Sequence, residues 1–381
     1  MAGPHDAARR RDSCRDSHMR VLHYYRVMTK PSGVTSAIGK WQQALLDAGI
    51  ESLVLHNAPA VTWELPSRQV RHVGHGRHGQ VPLLAGHLLP GDFLVIHEGW
   101  TTSNIVAALT AKRVGVPYSV MPHGIYQPQI ISELKPPRGL RMAAERQYLR
   151  NAAAVHTFFA PENILADNTA GRALRHITVP TGMEVAESGW TAGGSYLAWY
   201  GRYSVRHKGI DRMLQAYSLI KPERRLPLRL HGFEYHNGRA EVLELVRELG
   251  IAGDVSVGGP VSGKEKLEFL KEAAGFIFPS RWESHSIALL EALSLGMPVV
   301  MDETLHISGQ LREAGAASVI DFDDLPCAAA AMADLSGQAT IGSRGREYVQ
   351  HQLNWSTVMR QYLAQLATLA DANVYLPRLA P

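Results

Sequence analysis

The chain has 381 residues, enough for two or three domains at roughly 150 residues each. Its hydrophobic share of 45% and charged share of 19% exclude a wholly disordered chain, near-average glycine and proline exclude a collagen-like one, and two cysteines, Cys14 and Cys327, exclude a disulfide framework and point to a reducing compartment. The net charge of +4 is uneven, +6 over residues 1–190 and −2 over 191–381: the basic half suits an anionic partner such as a phospholipid surface or a phosphorylated acceptor, or is plain solvated surface, but it lacks the dense stripe of a nucleic-acid binder.

Residues 1–18 are polar and aperiodic and are expected to form a disordered extension, with Met19 as an alternative start. Arg9, Arg10 and Arg11 are not followed by the apolar stretch of a secretory signal. No apolar run reaches the ~18 residues of a membrane span, and 81–96 is broken by His87, Pro90, Gly91 and Asp92. A cytoplasmic location is expected, with peripheral contact at the inner face of an anionic membrane as a further expectation.

Residues 21–25 read as a first strand and 34–48 as the helix after it. Strands follow at 52–56 and 92–97, then a helical stretch at 103–113 and a strand at 118–121. A loop carries Pro128, Pro136 and Pro137. Residues 140–151 are rich in helix formers, and 154–158 is strand-like. Gly74, Gly76 and Gly79 satisfy G-x-G-x-x-G, but the pattern follows neither the first strand nor opens a helix, so it reads as a solvated loop, as do His72, His75 and His78. Residues 189–194 read as a linker, after which the pattern restarts. Strands fall at 196–200, 227–231, 255–257, 275–278, 298–301 and 317–320. Helices fall at 210–219, 239–249, 264–273, 287–295, 324–332 and 343–365, the last interrupted at Asn354 and Trp355.

Strands alternating with helices predict α/β architecture: two Rossmann-like, doubly wound parallel-sheet domains facing a central cleft. The first spans 19–188 and is completed by a C-terminal helix at 359–381. The second spans 189–358. In such sheets ligands bind beyond the carboxyl ends of the strands, and here both cleft walls present that end.

The segment 278–300 concentrates chemistry. A buried strand enters a turn with Glu283, Ser284, His285 and Ser286, and a helix follows with Glu291 inside it. Eight residues of helix span about 12 Å on nearly one face, so the two carboxylates suit hydroxyls at opposite ends of an extended polar ligand. The helix start between them offers N–H groups to an anion. Alternatively, Ser284 or Ser286 caps the helix and Glu283 merely complements its positive end. Upstream, Arg202 and Lys208 flank a loop before a helix, suited to phosphate oxygens or simply solvated. A stretch within 137–150 carries Arg138, Arg141, Arg146 and Arg150 with Leu140, Met142 and Leu149, either a basic amphipathic helix at a membrane surface or an ordinary exposed one.

Taken in order, these segments resemble the family 4 retaining glycosyltransferases of the GT-B fold, across roughly residues 19–370. The resemblance rests on Glu283 and Glu291 within a Pro-Ser…Glu…Leu-Glu-Ala…Gly-x-Pro-Val-Val frame, on Gly-Arg…Lys-Gly-x-Asp around Arg202 and Lys208, on Ser32-Gly33-Val34, on Pro122-His123-Gly124 and on the Trp355 region. It implies transfer of a sugar from a nucleoside-diphosphate sugar, with UDP or GDP as the expected nucleotide, to a carbohydrate, lipid-linked or small-molecule acceptor, and no required metal. By resemblance Arg202 and Lys208 bind the diphosphate, Glu291 the ribose hydroxyls and Glu283 the donor sugar. The N–H groups of Ser284, His285 and Ser286 line sugar and phosphate, Gly33 is a close-approach glycine, and His123 lies near the donor sugar. The chain departs from the family at Ser284 and Ser286, where Glu-Gly-x-Gly is usual, and at Pro180-Thr181-Gly182, where Pro-Asn-Gly is usual. Other expectations to weigh are a phosphorylase or epimerase on the same fold and a non-catalytic sugar-nucleotide-binding partner.

Overall fold

The computed structural model describes residues 19–28, 32–58, 69–74 and 81–371. The extension expected at 1–18 and the glycine pattern beyond Gly74 lie outside the described residues.

The first sheet is built from β1 (Val21–Tyr24), α1 (Gly33–Asp47), β2 (Ser52–His56), β3 (Val70–His72), β4 (Phe93–His97), α2 (Thr102–Arg113), β5 (Tyr118–Met121), α3 (Pro128–Ser132), α4 (Arg138–Asn151), β6 (Ala154–Thr157), α5 (Ala160–Ala170) and β7 (His176–Thr178). The second comprises β8 (Leu197–Arg202), α6 (Val205–Lys208), α7 (Ile210–Ser218), β9 (Leu228–Phe233), α8 (Gly238–Glu248), β10 (Val255–Gly258), α9 (Gly263–Lys271), β11 (Gly275–Phe278), α10 (Ile287–Leu295), β12 (Val299–Asp302), α11 (Ser308–Glu313), β13 (Ser318–Ile320), α12 (Leu325–Asp334), α13 (Ala339–Gln352) and α14 (Trp355–Asp371).

Both sheets are wholly parallel. The seven-stranded sheet runs β3-β2-β1-β4-β5-β6-β7 and the six-stranded sheet β10-β9-β8-β11-β12-β13. Strand order reverses between β1 and β4 and again between β8 and β11, which places a ligand crevice at the carboxyl end of each. Central strands are covered on both faces, so β4 and β11 are buried along their whole length and read as continuous apolar runs.

Several elements differ from the sequence expectation. The edge strands β3 and β7 have three residues each, too few for a period to show. α5 buries Glu162, Ala166, Thr169 and Ala170, a face without an apolar stripe. The stretch expected as a proline loop opens α3 with Pro128 at its first turn. The stretch between Arg202 and Lys208 is no plain loop: Arg202 ends β8 and Lys208 ends the one-turn helix α6.

The chain crosses between sheets at residues 179–196 and returns at 353–355. Trp190 is fastened to the second domain through its indole N–H, which donates to the Ala273 carbonyl at 2.6 Å. At the return, the Met183 N–H donates to Leu353 O at 2.7 Å. A side chain at Gly182 would press within 2.5 Å of the Trp355 ring, so this crossing needs glycine. α14 then packs against the first sheet. Trp355 and Tyr362 meet Trp41 of α1 edge-on at 5.3 and 5.1 Å, and Gln365 pairs with both backbone groups of Thr178 in β7.

Candidate functional site

The carboxyl ends of β8 and β11 bring the sequence-predicted residues of the second domain together. Gly209 closes α6 with φ +63°, and a Cβ there would lie 1.9 Å from the Pro279 carbonyl oxygen. Only glycine lets α6 pack this closely under the turn after β11. That contact delivers Lys208 to Glu283, and the two form an ion pair. Burial alone would raise the Glu283 carboxyl, but the Lys208 ammonium pulls it below its ordinary value. Glu283 is therefore ionised at neutral pH.

His207 completes this corner. Its ring stacks flat on Trp282 at 4.5 Å, and burial lowers it to about 4. As a neutral imidazole it donates Nε2–H to the Trp282 carbonyl at 2.9 Å, leaving Nδ1 to accept from Arg202 at 3.4 Å. The Arg202 guanidinium is exposed and lies 4.2 Å over the Tyr235 ring, a position open to a ligand oxyanion. Beneath the turn, Arg212 donates twice to Pro279 O and pairs with buried Asp302 at 2.8 Å, while Arg281 forks onto Asp211 at 2.7 and 2.9 Å. These pairs hold the turn rigid.

α10 begins at Ile287 with Ser286 at its N-cap, and neither serine caps it: Ser286 makes no side-chain cap bond, and Ser284 turns away. Among the described residues the N–H groups of Ser284, His285 and Ser286 donate to no protein acceptor. They stand with Lys208 and Glu283 at the positive end of the helix. One turn further, Glu291 accepts from the Tyr200 hydroxyl and from Lys266 Nζ at 2.6 Å. Burial pushes the Glu291 carboxyl up, opposed by the charge of Lys40, and pushes the Lys266 ammonium down, with Lys40 adding to that shift.

The first domain meets this turn directly. Pro122-His123-Gly124 follows β5, with His123 at φ +53° and Gly124 at φ +82°. A Cβ on Gly124 would lie 2.9 Å from the Ser284 Cβ. Ser284 donates its hydroxyl to Glu162 of α5, whose other oxygen accepts from the N–H groups of Phe158 at 2.7 Å and Phe159 at 3.2 Å. His285 sits between Phe158 and Phe159, and its Nε2–H reaches the Thr181 carbonyl at 3.0 Å. Gln127 and His306 meet across the cleft at 2.9 Å. Gly33 opens α1 after the N-cap Ser32, and a Cβ there would meet nothing within 4 Å. It faces open space, and no described residue of the Glu283 corner touches it.

Sequence reasoning missed Tyr200, Lys266 and His207, and it left Glu162 out of the site although 158–164 resembles a loop of the family. Tyr200 and Lys266 reach Glu291 from β8 and α9, separations of 91 and 25 residues that no local pattern reveals. Glu162 carried a weak signal, an acidic residue in the first turn of a helix behind Pro161.

Residues 186–336 match the sequence model of the family described as glycosyl transferases group 1. The chain is 24% identical over 319 residues to the GDP-mannose:cellobiosyl-diphosphopolyprenol alpha-mannosyltransferase of Xanthomonas campestris, spanning 81% of each protein. It is 25% identical over 316 residues to the D-inositol 3-phosphate glycosyltransferase of Thermobispora bispora, spanning 75% of this chain and 73% of that protein. Among solved structures it superposes on sucrose-phosphate synthase of Thermosynechococcus elongatus with a TM-score of 0.76 at 18% identity, covering 93% of this chain and all of the other. Anabaena HepE in complex with UDP and glucose gives 0.75 at 17% identity, covering 92% and 100%.

Proposed function

We propose that this protein, a GT-B glycosyltransferase whose residues 186–336 form a group 1 domain, is a retaining hexosyltransferase of the family 4 type. It moves a hexose from a nucleoside-diphosphate sugar to a hydroxyl of a carbohydrate, lipid-linked or small-molecule acceptor. The observation that carries this reading is the head of α10: an ionised Glu283 held by Lys208, three unclaimed N–H groups and Glu291 one turn on, with Arg202 opposite.

In this reading Arg202, Lys208 and the N–H groups of Ser284, His285 and Ser286 take the diphosphate. Glu291 holds the ribose hydroxyls, Glu283 the donor sugar, and His123 approaches that sugar from the first domain. Gly33 leaves room for close approach to the donor. Bond cleavage builds negative charge on the departing phosphate, and fixed cations and N–H dipoles aimed there stabilise the transition state more than the ground state. Lys208 trades part of its contact with Glu283 for the phosphate. The side chains balance the charge, so a metal is not required. The acceptor attacks on the face the phosphate leaves, without a carboxylate nucleophile. The relative named for GDP-mannose favours GDP over UDP.

No helix among the described residues is long and apolar enough to cross a membrane. For a lipid-linked acceptor, α4 is the proposed contact with the inner face of an anionic membrane. Arg138, Arg141 and Arg146 are exposed on it, and Leu140 is 71% exposed. Flotation with anionic liposomes, lost in an Arg138→Glu, Arg141→Glu variant, is the expected result; flotation independent of anionic lipid would refute this contact.

The primary test is thermal stability against UDP, GDP, ADP and dTDP for wild type, Glu291→Ala and Lys208→Ala. A ligand that binds only the folded state contributes about 2.7 kcal/mol at a hundredfold excess over its Kd. A shift with one nucleotide, lost in both variants, is expected. Its sugar-nucleotide then becomes the donor in a transfer assay read by the anomeric configuration of the product. Inverted product would overturn the retaining assignment.

A further inference from the structure

A line of three histidines runs inward from the cleft. His123 Nε2 lies 2.8 Å from His97 Nδ1, and His97 Nε2 lies 2.9 Å from His23 Nδ1. Neighbouring rings are stacked, with centroids 5.1 Å apart at both steps. Strand register sets up the line. His23 in β1 pairs with Val95 of β4, two residues before His97; His97 pairs with Met121 of β5, two residues before His123. The first step crosses one strand and advances two residues, which keeps His23 and His97 on one face of the sheet, while His123 stands just beyond the end of β5 in the left-handed turn.

The inner two rings are 1% and 0% exposed. Burial lowers His23 and His123 to about 3 and His97 well below its ordinary value, and the titratable groups acting on the line, His156 and His285, are themselves lowered to about 4. All three rings are therefore neutral, with one N–H each. His97 spends both nitrogens on its neighbours, one giving and one accepting. The three tautomers are thus locked together: the protons sit on every Nδ1 or on every Nε2. His23 Nε2 is buried without a partner. The second arrangement strands an N–H there, the rarer orphan in folded proteins, whereas the first leaves only a lone pair. At the outer end, Nδ1 of His123 has no partner among the described residues, and His123 lines the hollow shared with Glu162 and Ser284.

We infer that His97 and His23 are positioning residues that lock His123 into the Nδ1–H tautomer, so that the first domain presents a fixed N–H donor to an oxygen of the bound sugar-phosphate. The identity of that oxygen rests on the glycosyltransferase reading; the tautomer lock does not.

The test is a long-range proton–nitrogen correlation spectrum of the full chain labelled with 15N-histidine, with His123 assigned through His123→Gln. Protonated Nδ1 and bare Nε2 are expected for His123 and His97. A proton on His123 Nε2 in wild type would overturn the inference. His97→Phe keeps the stacked ring and removes both nitrogens. It is expected to unlock the His123 tautomer and lower kcat about tenfold, the size of one lost hydrogen bond, with nucleotide Kd unchanged within about twofold. An unchanged His123 spectrum in that variant would refute the lock. Because the spectrum is taken on the free protein, a failure to find sugar transfer would count against the proposed function and leave the tautomer result decisive by itself.

Discussion

Glu283 and Glu291 are two half-buried carboxylates on one stretch of chain with opposite electrostatics. Lys208 depresses Glu283 below its ordinary value near 4.5, so this pair stabilises the fold fully above that value and loses the contribution as pH falls through the lower folded one. Glu283→Gln is therefore expected to flatten the acid limb of a Tm-versus-pH curve below about pH 4.5; parallel curves would show that the pair contributes nothing there. Glu291 is shifted the other way: burial raises it to about 7 against the charge of Lys40, with Lys266 Nζ in contact at 2.6 Å. If Glu291 holds the ribose as proposed, nucleoside-diphosphate affinity measured by calorimetry is expected to rise with pH through neutrality in wild type, and Lys266→Met is expected to move that rise to higher pH. Equal midpoints would remove Lys266 from the site. The carboxylates and cations of this corner were legible because they lie in two compact motifs, 201–211 and 278–300. The histidines His23 and His97, and Lys266, were not: each acts through a partner brought near only by strand register or helix packing.

The α6–α7 junction is tightly constrained. Gly209→Ala places a Cβ in the Pro279 carbonyl at a left-handed backbone position. The left-handed conformation alone costs ~1–2 kcal/mol for a residue with a Cβ, and the clash adds to it. Urea unfolding is expected to show at least that loss together with weakened nucleotide binding, since Lys208 sits beside the shifted turn. An unaltered midpoint would mean the turn can move without cost. The alternation of strands and helices was readable from apolar runs that parallel, doubly covered strands require. β3, β7 and α5 were not, since two are three residues long and the third buries a carboxylate and a threonine instead of an apolar stripe.

At the scale of the molecule, the two domains meet through a shared apolar cluster and a few polar contacts beside it. Ser284 stands where the family resemblance expects glycine, and its hydroxyl bridges to Glu162. Ser284→Gly removes that bridge without touching the N–H groups Glu162 also serves. A hydrogen bond to a charged group contributes about 1.5–3 kcal/mol, so small-angle scattering is expected to show a larger radius of gyration in the variant. Identical scattering would assign closure to Gln127, His306 and His285 alone. α14 carries a consequence of another kind. Trp41 of α1 rests against Trp355 and Tyr362, and β7 is bonded to Gln365, so the amino-terminal domain is covered by a helix made after the second domain. As the chain leaves the ribosome, the amino-terminal sheet waits with an open flank until the second domain has been synthesised. A premature stop near residue 353 would spare the second sheet and cripple the first.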